Sequence, residues 1–258
     1  MIIANKYKII EKINNGEFGT IFKCENIRTQ EYVAIKIEPT ILEIKMLKRE
    51  AQIYQYLGKS YGIPQLKWYG SFDKYNYLVL PLYGDSLLKN KIYSSLAYSF
   101  LICKSIIKIL QYIHEKGLIH RDIKPDNIVL NSNNTNSDVY IIDFGLCKKY
   151  IDTNNNHINI TEGKSIIGTP NFISVNIHNG IEPSRRDDLE SVAYIMIFLI
   201  NGILPWQNEK ELDIIKNQKN NINLQDIQYI NIMKFIKYCR LLEFNETPNY
   251  EYLILLLS

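Results

Sequence analysis

The chain has 258 residues, of which 46% are hydrophobic and 22% charged. That balance excludes a disordered polymer and a fibrous repeat, and the length allows a substantial core. Thirty Lys and Arg against twenty-seven Asp and Glu leave a formal charge of +3, too small an excess to argue for a nucleic-acid or membrane-surface partner. Cys24, Cys103, Cys147 and Cys239 lie far apart with no C-x-x-C pair, the pattern of reduced thiols in an intracellular protein rather than of a disulfide framework or zinc site. Near the N-terminus, Lys6 and Lys8 interrupt the apolar run, so no signal-peptide core is present there.

Residues 7–13, 20–25 and 32–38 alternate apolar and polar side chains between turn signals, which predicts three strands of an antiparallel meander. Ile44, Leu47, Ala51 and Tyr54 recur at helical spacing, predicting a helix over 41–57 that stops at Gly58. Residues 68–72 and 77–82 read as two more strands, giving a small lobe, 1–82, of five antiparallel strands and one helix. From 83 onward the period is helical, with helices expected over 96–116, closed by Gly117, and over 187–199 and 230–242. The most apolar stretch, 192–206, is interrupted by Asn201, Gly202 and Pro205 and is shorter than the roughly 20 residues of a membrane span; it reads as a buried core helix. Asn-rich stretches at 131–136, 154–156 and 217–223 read as surface loops. The fold class expected is α+β with two lobes, the second mainly helical, within a single domain spanning 1–258.

The chemistry concentrates in two stretches. His120-Arg121-Asp122 is followed by Lys124 and Asn127, and some twenty residues on by Asp143-Phe144-Gly145. These resemble the catalytic and metal-binding loops of a protein kinase, at the spacing that phosphoryl transfer to a hydroxyl requires. Asp122 would accept or orient the proton of a substrate hydroxyl, and Lys124 would neutralise charge on the phosphoryl group in flight. Asn127 and Asp143 offer one neutral and one charged oxygen, a set suited to Mg²⁺ on nucleotide phosphates. His120 and Phe144 read as packing elements. Upstream, Ile13, Asn14, Asn15, Gly16, Glu17, Phe18, Gly19, Thr20 and Ile21 form a Gly-containing hairpin whose backbone N–H groups would approach phosphates, with Asn14 standing where the motif's first glycine is usual. Val33-Ala34-Ile35-Lys36 matches the strand whose lysine contacts the α and β phosphates, with the small Ala34 leaving room for adenine. Glu50 is the expected partner of Lys36, with Glu43 as its rival.

Gly168-Thr169-Pro170-Asn171-Phe172-Ile173-Ser174, where an A-P-E triplet would be expected further on, and Ser184-Arg185-Arg186-Asp187-Asp188-Leu189-Glu190-Ser191 resemble the casein kinase 1 family. So do Leu204-Pro205-Trp206-Gln207 and Pro248-Asn249-Tyr250-Glu251-Tyr252-Leu253, and the likeness covers nearly the whole chain. It implies a Ser/Thr protein kinase using ATP and Mg²⁺ on protein substrates inside the cell, in cytoplasm or nucleus, with no nucleic-acid or membrane partner and a monomer as the default. By the same resemblance Glu50 is the helix glutamate, Leu80 the gatekeeper, Pro81, Leu82 and Tyr83 the hinge, and Asp188 the buried aspartate that steadies the catalytic loop. Lys164 matches one position of the family's phosphate-recognising pocket, whereas Asn171 stands where an arginine is usual, so recognition of phospho-primed substrates is expected to be weak. No inhibitory tail follows residues 253–258, which implies activity without activation-loop phosphorylation. Two other readings stay open: a pseudokinase scaffold, and a kinase of the vaccinia-related type.

Overall fold

The computed structural model describes residues 2–16, 19–41, 45–90, 95–131, 138–222 and 229–258. The chain forms two compact units. One runs to Gly84 and includes Ile142–Gly145; the other consists of Asp85–Ile141 and Leu146–Ser258.

In the first unit the strands are β1 (Ile2–Ile3), β2 (Tyr7–Gly16), β3 (Gly19–Asn26), β4 (Tyr32–Pro39), β5 (Trp68–Phe72) and β6 (Tyr75–Pro81), with α1 (Met46–Leu57) between β4 and β5. They make one antiparallel sheet in the order β1-β2-β3-β4-β6-β5. The sheet therefore has six strands where five were expected. The additional one is two residues long, too short to show a period of two, and folds back onto Tyr7 and Lys8 through Ala4 and Asn5, both at positive φ. Alternation along β4 sorts its side chains. Val33 and Ile35 join Ile3, Tyr7, Cys24, Tyr77 and Val79 in a buried cluster. Ala34 and Lys36 take the other face, directly across from Leu80 and Leu78.

Helix α1 begins five residues later than the predicted 41–57. Ile41 lies in a turn, Lys45 has non-helical dihedrals, and 42–44, with the rival Glu43, lie outside the described residues. What starts the helix is a carboxylate from the sheet. Lys45 offers no side-chain cap, and the Leu47 N–H donates instead to Glu38 Oε2 at 2.9 Å, while Asn76 Nδ2 donates to Glu38 Oε1 at 3.2 Å. A buried anion at a helix N-terminus satisfies an orphan donor and complements the helix dipole. Gly58 ends the helix at φ 65°, its N–H donating to the Tyr54 carbonyl.

The second unit contains α2 (Leu87–Asn90), α3 (Leu96–Glu115), α4 (Val175–His178), α5 (Arg185–Asn201), α6 (Leu212–Asn220), α7 (Ile230–Leu241) and α8 (Tyr250–Leu256). Two short two-stranded pieces join them among the described residues: β7 (Leu118–Ile119) with β10 (Lys148–Lys149), and β8 (Ile128–Leu130) with β9 (Val139–Ile141). Its core is α3 packed on α5, which in turn packs on α7. By length and composition α3 could cross a membrane, but its apolar face, including Ile102, Ile106, Ile109, Leu110 and Ile113, is buried within this unit. Within the apolar stretch 192–206 the helix ends at Asn201, and Leu204 and Trp206 follow as buried non-helical residues. The Asn-rich stretch at 217 is a correction: Asn217–Asn220 close α6 rather than forming a loop, because Ile215 and Lys219 supply a buried face that outweighs the weak helix propensity of Asn. Residues 154–156 are exposed turn, as expected, and 132–136 and 223 lie outside the described residues. All four cysteines are buried thiols.

Because Glu38 supplies the missing cap, Glu38→Ala is expected to lower stability by about 1–3 kcal/mol. Urea unfolding should show a lower midpoint with an unchanged slope; an unmoved midpoint would contradict the assignment.

Candidate active site

Lys36, Glu50 and Asp143 come together within the first unit. Lys36 Nζ donates to Glu50 Oε2 and to Asp143 Oδ1, each at 2.8 Å. Lys36 and Glu50 are buried, and α1 delivers Glu50 because its start is fixed by Glu38. Burial disfavours the ammonium, but the Glu50 and Asp143 carboxylates outweigh that cost and raise the Lys36 pKa. One turn further along α1, the Tyr54 hydroxyl accepts the Asp143 N–H at 3.2 Å, and its ring meets Phe144 edge to face at 5.0 Å. Asp143 is held at φ 64°, a left-handed conformation that a non-glycine residue adopts only at some cost.

The predicted phosphate hairpin is the β2–β3 turn. Asn14 pairs with Ile21, Asn15 with Thr20 and Gly16 with Gly19, and the ladder shifts register between Lys12 and Asn14, at Ile13. Asn15 Oδ1 accepts the Thr20 hydroxyl at 2.8 Å, and Asn14 Oδ1 accepts the Asn15 N–H. Glu17 and Phe18 lie outside the described residues. Gly19 has φ 125°, and a Cβ there would lie 2.2 Å from the Ile37 carbonyl oxygen, so only glycine fits. Leu80 and Pro81 end β6 opposite Ala34 and Val33, with Leu82 and Tyr83 half-buried just beyond.

Asp122, Lys124 and Asn127 come together in the second unit, on a loop whose backbone is fixed from below by Asp188. The two Asp188 oxygens accept the N–H groups of Arg121 (2.8 Å) and His120 (2.7 Å), and His114 Nε2 lies 3.0 Å from Oδ2. Burial alone would raise the Asp188 pKa, but the His114 hydrogen bond and charge, with the His120 N–H, hold it below the usual carboxylate value. Tyr250 Oη lies 2.8 Å from His114 Nδ1, so α8 braces the same chain of contacts. This anchoring accompanies a left-handed Arg121, φ 69°.

Around Asp122 four donors converge. Oδ1 accepts the Thr169 hydroxyl at 2.8 Å and the Thr169 N–H at 3.1 Å; Oδ2 takes Lys124 Nζ at 2.8 Å and Asn127 Nδ2 at 3.1 Å. Lys124 Nζ also donates to Thr169 Oγ1 at 2.8 Å, so the threonine bridges the carboxylate and the ammonium. Gly168 lets the chain approach this closely: at φ 93°, a Cβ on it would be 2.6 Å from the Arg121 carbonyl oxygen. Thr169, Tyr54 and Glu38 were not read as site or positioning residues from sequence. Their partners lie 47, 89 and 9 positions away, and only Gly168 just before Thr169 hints at a close backbone approach.

The family model of the protein kinase domain matches residues 7–254. The chain belongs to the protein kinase family. Its two units are the antiparallel N-terminal sheet with its helix and the helical C-terminal lobe of the bilobal kinase fold, and membership implies a phosphotransferase. Kinases of this family generally use ATP with Mg²⁺. Asn127 spends its amide hydrogens on Asp122, donating to the main-chain oxygen at 2.9 Å and to Oδ2. That leaves its carbonyl oxygen as a hard donor within the second unit, and the Asp143 carboxylate is another within the first.

The bridging role of Thr169 gives a direct expectation for this kinase. Thr169→Val, which keeps shape and removes the hydroxyl, should lower kcat about 10–100-fold while leaving the KM for ATP within about twofold, the loss of one or two charge-assisted hydrogen bonds. Steady-state kinetics with a peptide acceptor measures it; an unchanged kcat would contradict the bridge.

Proposed function

We propose that this chain is an active Ser/Thr protein kinase of casein kinase 1 type, transferring the γ-phosphoryl group of MgATP to protein hydroxyls. The observation that carries the reading is the Asp122 carboxylate, oriented by Thr169, Lys124 and Asn127. Asp122 takes the proton from the substrate hydroxyl as that oxygen forms its bond to the γ-phosphorus and the bond to the bridging oxygen of the leaving diphosphate breaks. Lys124 neutralises negative charge on the transferring group. In this reading Lys36 orients the α and β phosphates and Glu50 keeps it in place. Ile13–Ile21, Ala34 and Leu80–Tyr83 form the nucleotide-contacting set, and Asn127 and Asp143 hold Mg²⁺, whose role is to offset phosphate charge.

The intact Lys36–Glu50 pair favours an enzyme over a pseudokinase scaffold. The formal charge of +3 gives no support to a vaccinia-related kinase acting on DNA-associated substrates. The family's preference for phosphate upstream of the target is weakened here. Asn171 has no charge to offer and its carbonyl accepts the Trp206 indole N–H at 2.9 Å, while Glu182 draws on the basic residues Lys148 (2.7 Å) and Lys164 (3.8 Å). Loss of a guanidinium at 171 removes about 1–3 kcal/mol of anion recognition. An intracellular location, a monomeric state and a single kinase domain over the whole chain complete the proposal; the four buried thiols support the first.

Incubation with labelled ATP, Mg²⁺ and a panel of Ser and Thr peptides, plain, acidic or phosphorylated upstream, tests both parts. Transfer to Ser and Thr but not Tyr is expected, with less than about tenfold preference for the phosphorylated peptides. Asp122→Asn should lose about 10²–10⁴-fold in kcat and keep its nucleotide affinity. Wild-type protein that binds ATP and phosphorylates nothing would be the scaffold instead.

A further inference from the structure

Lys219, near the end of α6, is fully buried, and among the described residues no carboxylate forms a salt bridge with it. A buried amine is costly unless its hydrogen-bonding groups are met, and burial pushes the Lys219 pKa well below its usual value; here the partners come from one chain segment. Nζ donates to the carbonyl oxygens of Pro170 and Ile173, each at 2.7 Å, and lies 3.2 Å from His178 Nε2. The rings of Tyr194 (4.7 Å) and Trp206 (5.4 Å) wall the remaining space.

That segment starts at the residue bridging Asp122 and Lys124. The Thr169 carbonyl accepts the N–H groups of Phe172 and Ile173, at 2.8 and 3.1 Å, so residues 169–173 form a closed turn. Trp206 Nε1 donates to the Asn171 carbonyl at 2.9 Å. Three attachments, at 170, 171 and 173, therefore fix the turn from outside. The clamp is itself held: Arg240 on α7 donates to the Lys219 carbonyl at 2.9 Å and to Glu190 on α5 at 3.0 Å.

We propose that Lys219 is a positioning residue for phosphoryl transfer, its amine clamping residues 169–173 so that Thr169 meets Asp122 without a phosphate on that segment. The inference rests on the active-kinase reading for its catalytic consequence, but the clamp has a readout of its own. Lys219→Met, close in length and without charge, is compared with wild type by amide hydrogen exchange over 168–173 and by peptide kinetics. Exchange at these amides should rise at least about tenfold with the α3 and α5 amides unchanged. The kcat should fall about tenfold or more at unaltered ATP affinity, and Lys219→Arg should recover part of both. Combining Lys219→Met with Thr169→Val should add little further loss, because both act through one contact. If Lys219→Met does not fold, Trp206→Phe, which removes the donor to the Asn171 carbonyl and trims the ring beside Lys219, should show the same changes at smaller size. Unchanged exchange at 168–173, or losses that simply multiply with those of Thr169→Val, would overturn the proposal. A wild-type protein without kinase activity but with exchange rising in Lys219→Met would sink the functional reading and leave the clamp standing.

Discussion

Everything in the second unit that bears on chemistry depends on one carboxylate, Asp122, being presented with both oxygens already engaged. Two donors come from Thr169, one from Lys124 and one from Asn127, and the loop's backbone is fixed by Asp188 beneath it. A carboxylate in so many contacts has little rotational freedom left, which is what preorganisation means for the base proposed here. The strain accepted at Arg121 is affordable only because buried hydrogen bonds hold both ends of the turn.

The first unit solves a parallel problem with a different device. Lys36 stands on a strand face chosen by alternation, and its partner stands on a helix whose first turn is fixed by Glu38 of that same strand. Position 38 thus sets where α1 begins, and α1 in turn sets where Glu50 and Tyr54 meet Asp143 and Phe144. The ion pair between Lys36 and Glu50 is buried, so its geometry matters more than its net contribution to stability.

Much of this was legible in the sequence. Residues whose chemistry is carried by local order, such as Asp122, Lys124, Asn127 and Asp143, could be placed on the chain from spacing alone, as could the long helices with a clear period. What escaped were residues whose meaning lies in a distant partner. Glu38 reads as a polar strand position, Tyr54 as one more apolar residue of an amphipathic helix, and Lys219 as a solvated charge in an Asn-rich stretch. In the fold the first caps a helix, the second accepts the Asp143 amide, and the third is wholly buried. The short strand β1 and the late start of α1 were missed for the same reason: tertiary contacts, not propensity, decide them.

The claim on which the account turns is that the transfer site is assembled by the fold's own hydrogen bonds. Its most direct measurement is the turnover number on a Ser peptide of protein stripped of all phosphate by phosphatase, verified by intact mass, against untreated protein. Equal values, on the order of 1–100 s⁻¹, are predicted; activity that vanishes on dephosphorylation would contradict the account.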